Sequence, residues 1–92
     1  MAKYKISFKK SVSKDFKSIP KKDVPKILQK IESLADNPRA EGCIKLSGLD
    51  NYRVRQGLYR IIYQIRDDVL IINVIKVVHR SSVYKNRSSH KA

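Results

Sequence analysis

The hydrophobic spacing of this chain changes period partway along, and that change limits the folds open to it. From Val12 to Ala35 the apolar residues recur at helical intervals: Val12, Phe16 and Ile19, then Val24, Ile27, Leu28, Ile31, Leu34 and Ala35. Beyond Asp36-Asn37-Pro38 the pattern becomes that of strands. A short alternating segment, with Tyr4, Ile6 and Phe8 set between Lys3, Lys5 and Ser7, precedes the helices and reads as a strand with one buried face. Helices and strands are thus segregated along the chain. This predicts an α+β fold: an N-terminal strand, a two-helix hairpin, then an antiparallel meander of strands forming one sheet with helices on one face.

Punctuation residues set the boundaries. The first helix runs from about Lys9 to Ser18 and closes at Pro20, which cannot continue it. The second starts close to Asp23, because Pro25 is tolerable only in a first turn, and stops at Asp36-Asn37-Pro38. Ile44-Lys45-Leu46 reads as a short strand and Ser47-Gly48-Leu49-Asp50-Asn51 as a loop. Two further strands join at Gln56-Gly57, where glycine can supply a positive φ. After the turn at Arg66-Asp67-Asp68, Val69 to Val78 is apolar nearly throughout and predicts a central strand covered on both faces. A chain of 92 residues is expected to form one domain, here residues 1–85, with Val83 and Tyr84 starting a last helical turn. Residues 86–92 form a polar C-terminal tail, with His90 inert within it.

Charge narrows the partners. There are 21 Lys and Arg against 8 Asp and Glu, a formal net charge of +13, which favours a polyanion. Nucleic acid, an anionic membrane and an acidic protein all satisfy charge alone. A membrane surface would need a free basic amphipathic helix, and none is left over once both helices pack on a sheet. No apolar run approaches the roughly 18 residues of a span and MAKYKISFKK lacks the apolar stretch of a signal peptide, so a cytoplasmic protein with no membrane partner is expected. Cys43 is the only cysteine, read as a small buried apolar residue, and His79 and His90 are not at metal-ligand spacing. No metal or other cofactor is expected.

Strand parity points to a site. Arg53 and Arg55 share one face of their strand, while Tyr52 and Val54 take the other. On the next strand Arg60 points opposite to Tyr59, Ile61 and Tyr63, so Tyr59 and Tyr63 are expected in the core with wet hydroxyls. Tyr52 fits a core role and a site role about equally. The last strand delivers His79 and Arg80 to an edge of the sheet, and Tyr84 can return over it. Arginines bind phosphate, tyrosines stack on bases and a histidine moves protons near neutrality, a combination suited to holding and cutting RNA. Lys9, Lys10, Lys14, Lys17, Lys21 and Lys22 read as a solvated surface.

Two motifs carry a resemblance: Tyr-Arg-x-Arg-x-Gly-x-Tyr-Arg-x-x-Tyr at Tyr52 to Tyr63, and His-Arg-x-x-x-Tyr at His79 to Tyr84. In this order and at these places they resemble the RelE/ParE toxin superfamily, specifically its RelE-like branch of ribosome-dependent mRNA interferases, from the first strand to Tyr84. The resemblance implies the RelE/ParE-like, microbial RNase-like fold. It also implies a toxin of a type II toxin-antitoxin system that enters the A site of the 70S ribosome, contacts mRNA and rRNA, and cleaves the A-site codon. Such a toxin is a monomer when free and is held inactive in a hetero-oligomer with its cognate antitoxin.

Carried over by position, the resemblance gives Arg53 and Arg55, with Tyr52 beside them, to RNA binding. It gives Arg60 and Arg80 to the scissile phosphate, Tyr84 to orienting the nucleotide and His79 to proton transfer. The chemistry implied is metal-free transesterification by the ribose 2′-hydroxyl. The chain departs from the best-known branch, which has lysines where Arg53 and Arg55 stand and manages without the histidine. Because arginine is effectively never deprotonated, the acid or base role shifts toward His79 or is shared with Tyr84. Two other functions fit the same resemblance: a ParE-like, non-enzymatic inhibitor of DNA gyrase, and a degenerate toxin that retains only antitoxin binding.

Overall fold

A computed structural model describes residues 3–46 and 51–79. Arg80, Tyr84, the last helical turn expected at Val83 and Tyr84, the tail 86–92 and most of the loop expected after Leu46 lie outside the described residues. The elements are β1 Lys5–Phe8, α1 Lys10–Lys17, α2 Val24–Leu34, β2 Ile44–Lys45, β3 Asn51–Gln56, β4 Tyr59–Arg66 and β5 Ile71–His79. The sheet has five strands in the order β1-β5-β4-β3-β2. Strands β2 to β5 form the expected antiparallel meander, and β1 joins its far edge parallel to β5, so the sheet is mixed.

Helix α1 buries Val12 and half-buries Phe16 one turn later, and its last turn carries Lys14 and Lys17, where positive charge suits the helix dipole. Helix α2 begins after Asp23 with Pro25 in its first turn and buries Ile27, Ile31 and Leu34 along one stripe. Asp23 makes no capping bond with its side chain. Its carboxylate instead accepts a hydrogen bond from the Tyr59 hydroxyl at 2.8 Å, tying the start of α2 to the start of β4. Both helices cover one face of the sheet, and the core forms between their stripes and Tyr52, Val54, Tyr59, Ile61, Tyr63, Ile65, Ile72, Val74 and Val77. Among the described residues no polar or charged residue is buried, so the fold is held by apolar contact, at about 1.5–3 kcal/mol for each fully buried large aliphatic side chain.

Four sequence expectations change. Phe8, expected on a buried face, is 45% exposed, because β1 is an edge strand that ends there. The β3–β4 turn is Gly57-Leu58, closed by the pair Gln56 and Tyr59. Gly57 has φ +60° and Leu58 stays in the negative region, the pattern of a type II′ turn. Strand β5 is covered on its helix face only: Ile71, Asn73, Ile75 and Val78 are half-buried on the other, and Val69 and Leu70 lie exposed before the strand begins. Finally, the Tyr59 and Tyr63 hydroxyls are not wet but bonded, that of Tyr63 to the Pro38 carbonyl at 2.6 Å.

Candidate nucleic-acid interface

Alternation along β3 and β4 decides which side chains meet. Tyr52 and Val54 turn to the core, so Arg53 and Arg55 emerge on the face away from the helices; Tyr59, Ile61, Tyr63 and Ile65 turn inward, so Arg60, Ile62, Gln64 and Arg66 emerge beside them. In the hairpin register Arg55 stands directly opposite Arg60, and Arg53 opposite Ile62. Like charges directly across a strand pair repel. The ion pairs of the described residues are Arg39 with Asp67 and Arg66 with Asp68, and neither relieves this cluster. None of the strand residues is acidic. Among the described residues the open face therefore presents three neighbouring guanidinium groups with no carboxylate paired to them, an arrangement that an anion stabilises.

A β-bulge places His79. The β4–β5 register slips at Ile62 and Tyr63, which pair with Lys76 and Val74, leaving Ile75 as an extra residue. One inserted residue exchanges the faces of everything after it. Val77 accordingly turns into the core, Val78 stands on the open face opposite Arg60, and His79 pairs with Tyr59 on the helix side. The His79 ring meets the Tyr59 ring edge to face, with centroids 5.1 Å apart. Arg53, Arg55 and Arg60 are thus brought together, while His79 lies at the same end of the sheet on its other face.

There it lines a cleft of about 470 Å³ shared with Asp15, Ser18, Tyr59 and Lys76. Beyond Phe8, where β1 stops pairing, the Asp15 carboxylate accepts the Val77 amide proton at 3.1 Å and holds this part of β5 in place of a neighbouring strand. Lys76 and Asp15 were not singled out by sequence reasoning. Lys76 sits inside an apolar run and Asp15 inside a lysine-rich helix, and it is the uncovered edge of β5 that brings them around one cleft with His79. Among the described residues no group of His, Cys, Asp and Glu side chains is arranged to hold a metal ion.

The other aromatic and charged residues gather behind the opposite end of the sheet, where β4 finishes at Arg66. Tyr52 is only 7% exposed; its ring stacks on Tyr63 with centroids 6.0 Å apart and lies under the Arg39 guanidinium at 5.4 Å. Of its two possible roles the core role is the one the geometry fills. Arg39 also pairs with Asp67 at 2.8 Å, and Tyr4 donates to the same carboxylate. The Arg39 hydrogen bond, then that of Tyr4, holds the Asp67 carboxyl below the usual carboxylate range. Burial raises the Tyr59 phenol, with Asp23 adding to the shift, and burial raises the Tyr63 phenol further. Cys43 is half-buried against the core. No described helix is long and apolar enough to cross a membrane.

Residues 6–84 match the family model described as the ParE toxin of type II toxin-antitoxin systems. The chain is 38% identical over 88 residues to the putative toxin RelE1 of Methanocaldococcus jannaschii, covering 91% of this chain and 98% of that protein. Its fold superimposes on the RelE–RelB complex structure from Pyrococcus horikoshii with a TM-score of 0.76 and 32% identity, over 85% of this chain and 96% of that one. The isolated RelE toxin of Escherichia coli gives a TM-score of 0.72 at 26% identity, over 97% and 99%. The sequence motifs, the sheet built by the first of them, and these relatives agree: the chain belongs to the RelE/ParE toxin superfamily, as a RelE-like toxin of the type II toxin-antitoxin kind.

Proposed function

We propose that this toxin is a metal-free endoribonuclease that enters the ribosomal A site in the cytoplasm and cleaves the mRNA codon there. The observation that carries the reading is the directly opposed pair Arg55 and Arg60, with Arg53 beside them, on strands that hold no acidic residue. A phosphodiester backbone relieves the repulsion within that pair. Arg53 and Arg55 grip mRNA and rRNA phosphates, and Arg60 neutralises the scissile phosphate as the 2′-hydroxyl gives up its proton, attacks in line and displaces the 5′-oxygen, which takes up a proton, leaving a 2′,3′-cyclic phosphate. Arg80 shares that task, Tyr84 orients the nucleotide, and His79 moves a proton from the rim of the sheet. Tyr52 acts by holding β3 against the core.

The cognate antitoxin inhibits it by binding. Support comes from the relatives solved as RelE–RelB complexes and from a second surface on this chain. An apolar groove of about 590 Å³ is lined by Phe8, Val12, Phe16 and Leu28 and flanked by Lys9 and Lys10, which suits an apolar and acidic antitoxin segment.

The test is to add the purified protein to ribosomes programmed with a defined mRNA and an empty A site, and to map new RNA ends. New ends inside the A-site codon, lost with His79→Ala, are expected. The match to a model described for ParE toxins supports the second reading, gyrase inhibition. Intact mRNA together with blocked gyrase supercoiling would select it.

A further inference from the structure

The open face continues well past the arginines. Four residues further along β4 from Arg60, about 13 Å at the usual rise of a strand, stands Gln64. The register places Asn51 of β3 on one side of it and Asn73 of β5 on the other, with Ser7 of β1 beyond Asn73. This is a row of uncharged hydrogen-bonding side chains in register across four adjacent strands. Gln64 and Asn73 alternate with buried neighbours, Asn51 precedes buried Tyr52, and all three are themselves half-buried, so they face away from the helices. None of the side-chain hydrogen bonds of the described residues involves them.

Three features make this row more than a solvated surface. Amides present a donor and an acceptor side by side, the pairing that matches a base edge. Arg53 and Arg60 lie on one side of the row, and Lys5 and Arg66, the latter paired with Asp68 at 3.5 Å, lie on the other, so an anionic backbone can be held at both ends. Between the arginines and the amides, Ile62 offers a half-buried aliphatic surface against which a base plane can rest. An acidic peptide would be attracted by the same charge and could bond the amides through its backbone, but it brings neither phosphates for the arginines nor base planes for Ile62.

We propose that this face binds single-stranded RNA along its length and that Asn51, Gln64 and Asn73 read base edges next to the segment held by the arginines, making them specificity-determining residues. The proposal deepens the RNA reading above by naming what selects the sequence.

The test separates the two. Fluorescein-labelled, nine-nucleotide A, C and U oligomers carrying 2′-fluoro in place of 2′-hydroxyl have no nucleophile, so their binding is independent of whether the protein cleaves RNA. By fluorescence anisotropy, wild type is expected to separate the tightest from the weakest oligomer by about tenfold. A Gln64→Ala/Asn73→Ala variant should narrow that spread to about twofold, while Arg53→Ala weakens all three alike. Gln64→Met, close in size but without the amide, should narrow the spread on its own and replaces the double variant if that one unfolds.

A wild type that does not discriminate, a spread unchanged in the amide variants, or an equal loss for all three oligomers overturns the proposal. So does an unchanged RNA spread accompanied by loss of antitoxin binding, which would assign the face to the protein partner. Failure of the cleavage reading is recorded separately, by intact mRNA on programmed ribosomes.

Discussion

Tyr63 shows what a single residue holds. Its ring is fully buried and its hydroxyl donates to the buried Pro38 carbonyl, so the tyrosine pins the segment after α2 to the centre of β4. Tyr63→Phe keeps the ring and strands the carbonyl, at an expected cost of about 1–3 kcal/mol in urea unfolding. Asp67 makes a pH prediction. Its carboxyl is held down by Arg39 and Tyr4, so it contributes stability above its unfolded value of about 3.9 and loses that contribution as pH falls through the lower folded value. Wild type should exceed Asp67→Asn in stability near neutrality, and the gap should close as the solution is acidified below about pH 4. The raised phenols of Tyr59 and Tyr63 act at the other end: the stability they contribute is complete below about pH 10 and is lost as pH rises through their folded values. At this scale strand parity was legible, since Arg53, Arg55 and Arg60 emerge where alternation put them. The Pro38 partner of Tyr63 was not, because a backbone carbonyl leaves no mark in a sequence.

Among elements, the β3–β4 hairpin sets the register on which the arginine face depends. Gly57 holds φ +60° with open space around its α-carbon, so replacing it carries a conformational cost without a clash. Gly57→Ala is expected to destabilise by about 1–2 kcal/mol. For a domain of this size that is a melting temperature lower by about 4–8 °C per kcal/mol. The helices were legible to within a residue or two from their stripes and their prolines. The β5 bulge was not. An extra isoleucine in an apolar strand looks like any other, yet Ile75 is the residue that sends His79 to the helix side. The parallel place of β1 beside β5 was equally hidden, because an alternating pattern shows that a strand has a buried face and says nothing of its neighbour.

The whole molecule is a small cation with its charge sorted. Among the described residues the acidic side chains sit in helices, turns and loops and the sheet has none, and the formal net charge of the chain is +13. RNA binding should weaken steeply with salt. Arg53→Ala should lower the slope of log affinity against log salt by about 0.7–1, as one lost phosphate contact does. Lys14→Ala, on the exposed side of α1, should barely change it. The central claim is that Arg60 acts on the reaction and not only on the ligand. The direct test is single-turnover cleavage of A-site mRNA on programmed ribosomes by wild type and Arg60→Ala, with ribosome binding measured on the same preparations. A cleavage rate lower by about 100–1,000-fold with affinity changed by less than about tenfold is the predicted result. Equal losses in rate and affinity would contradict it and leave Arg60 an anchor.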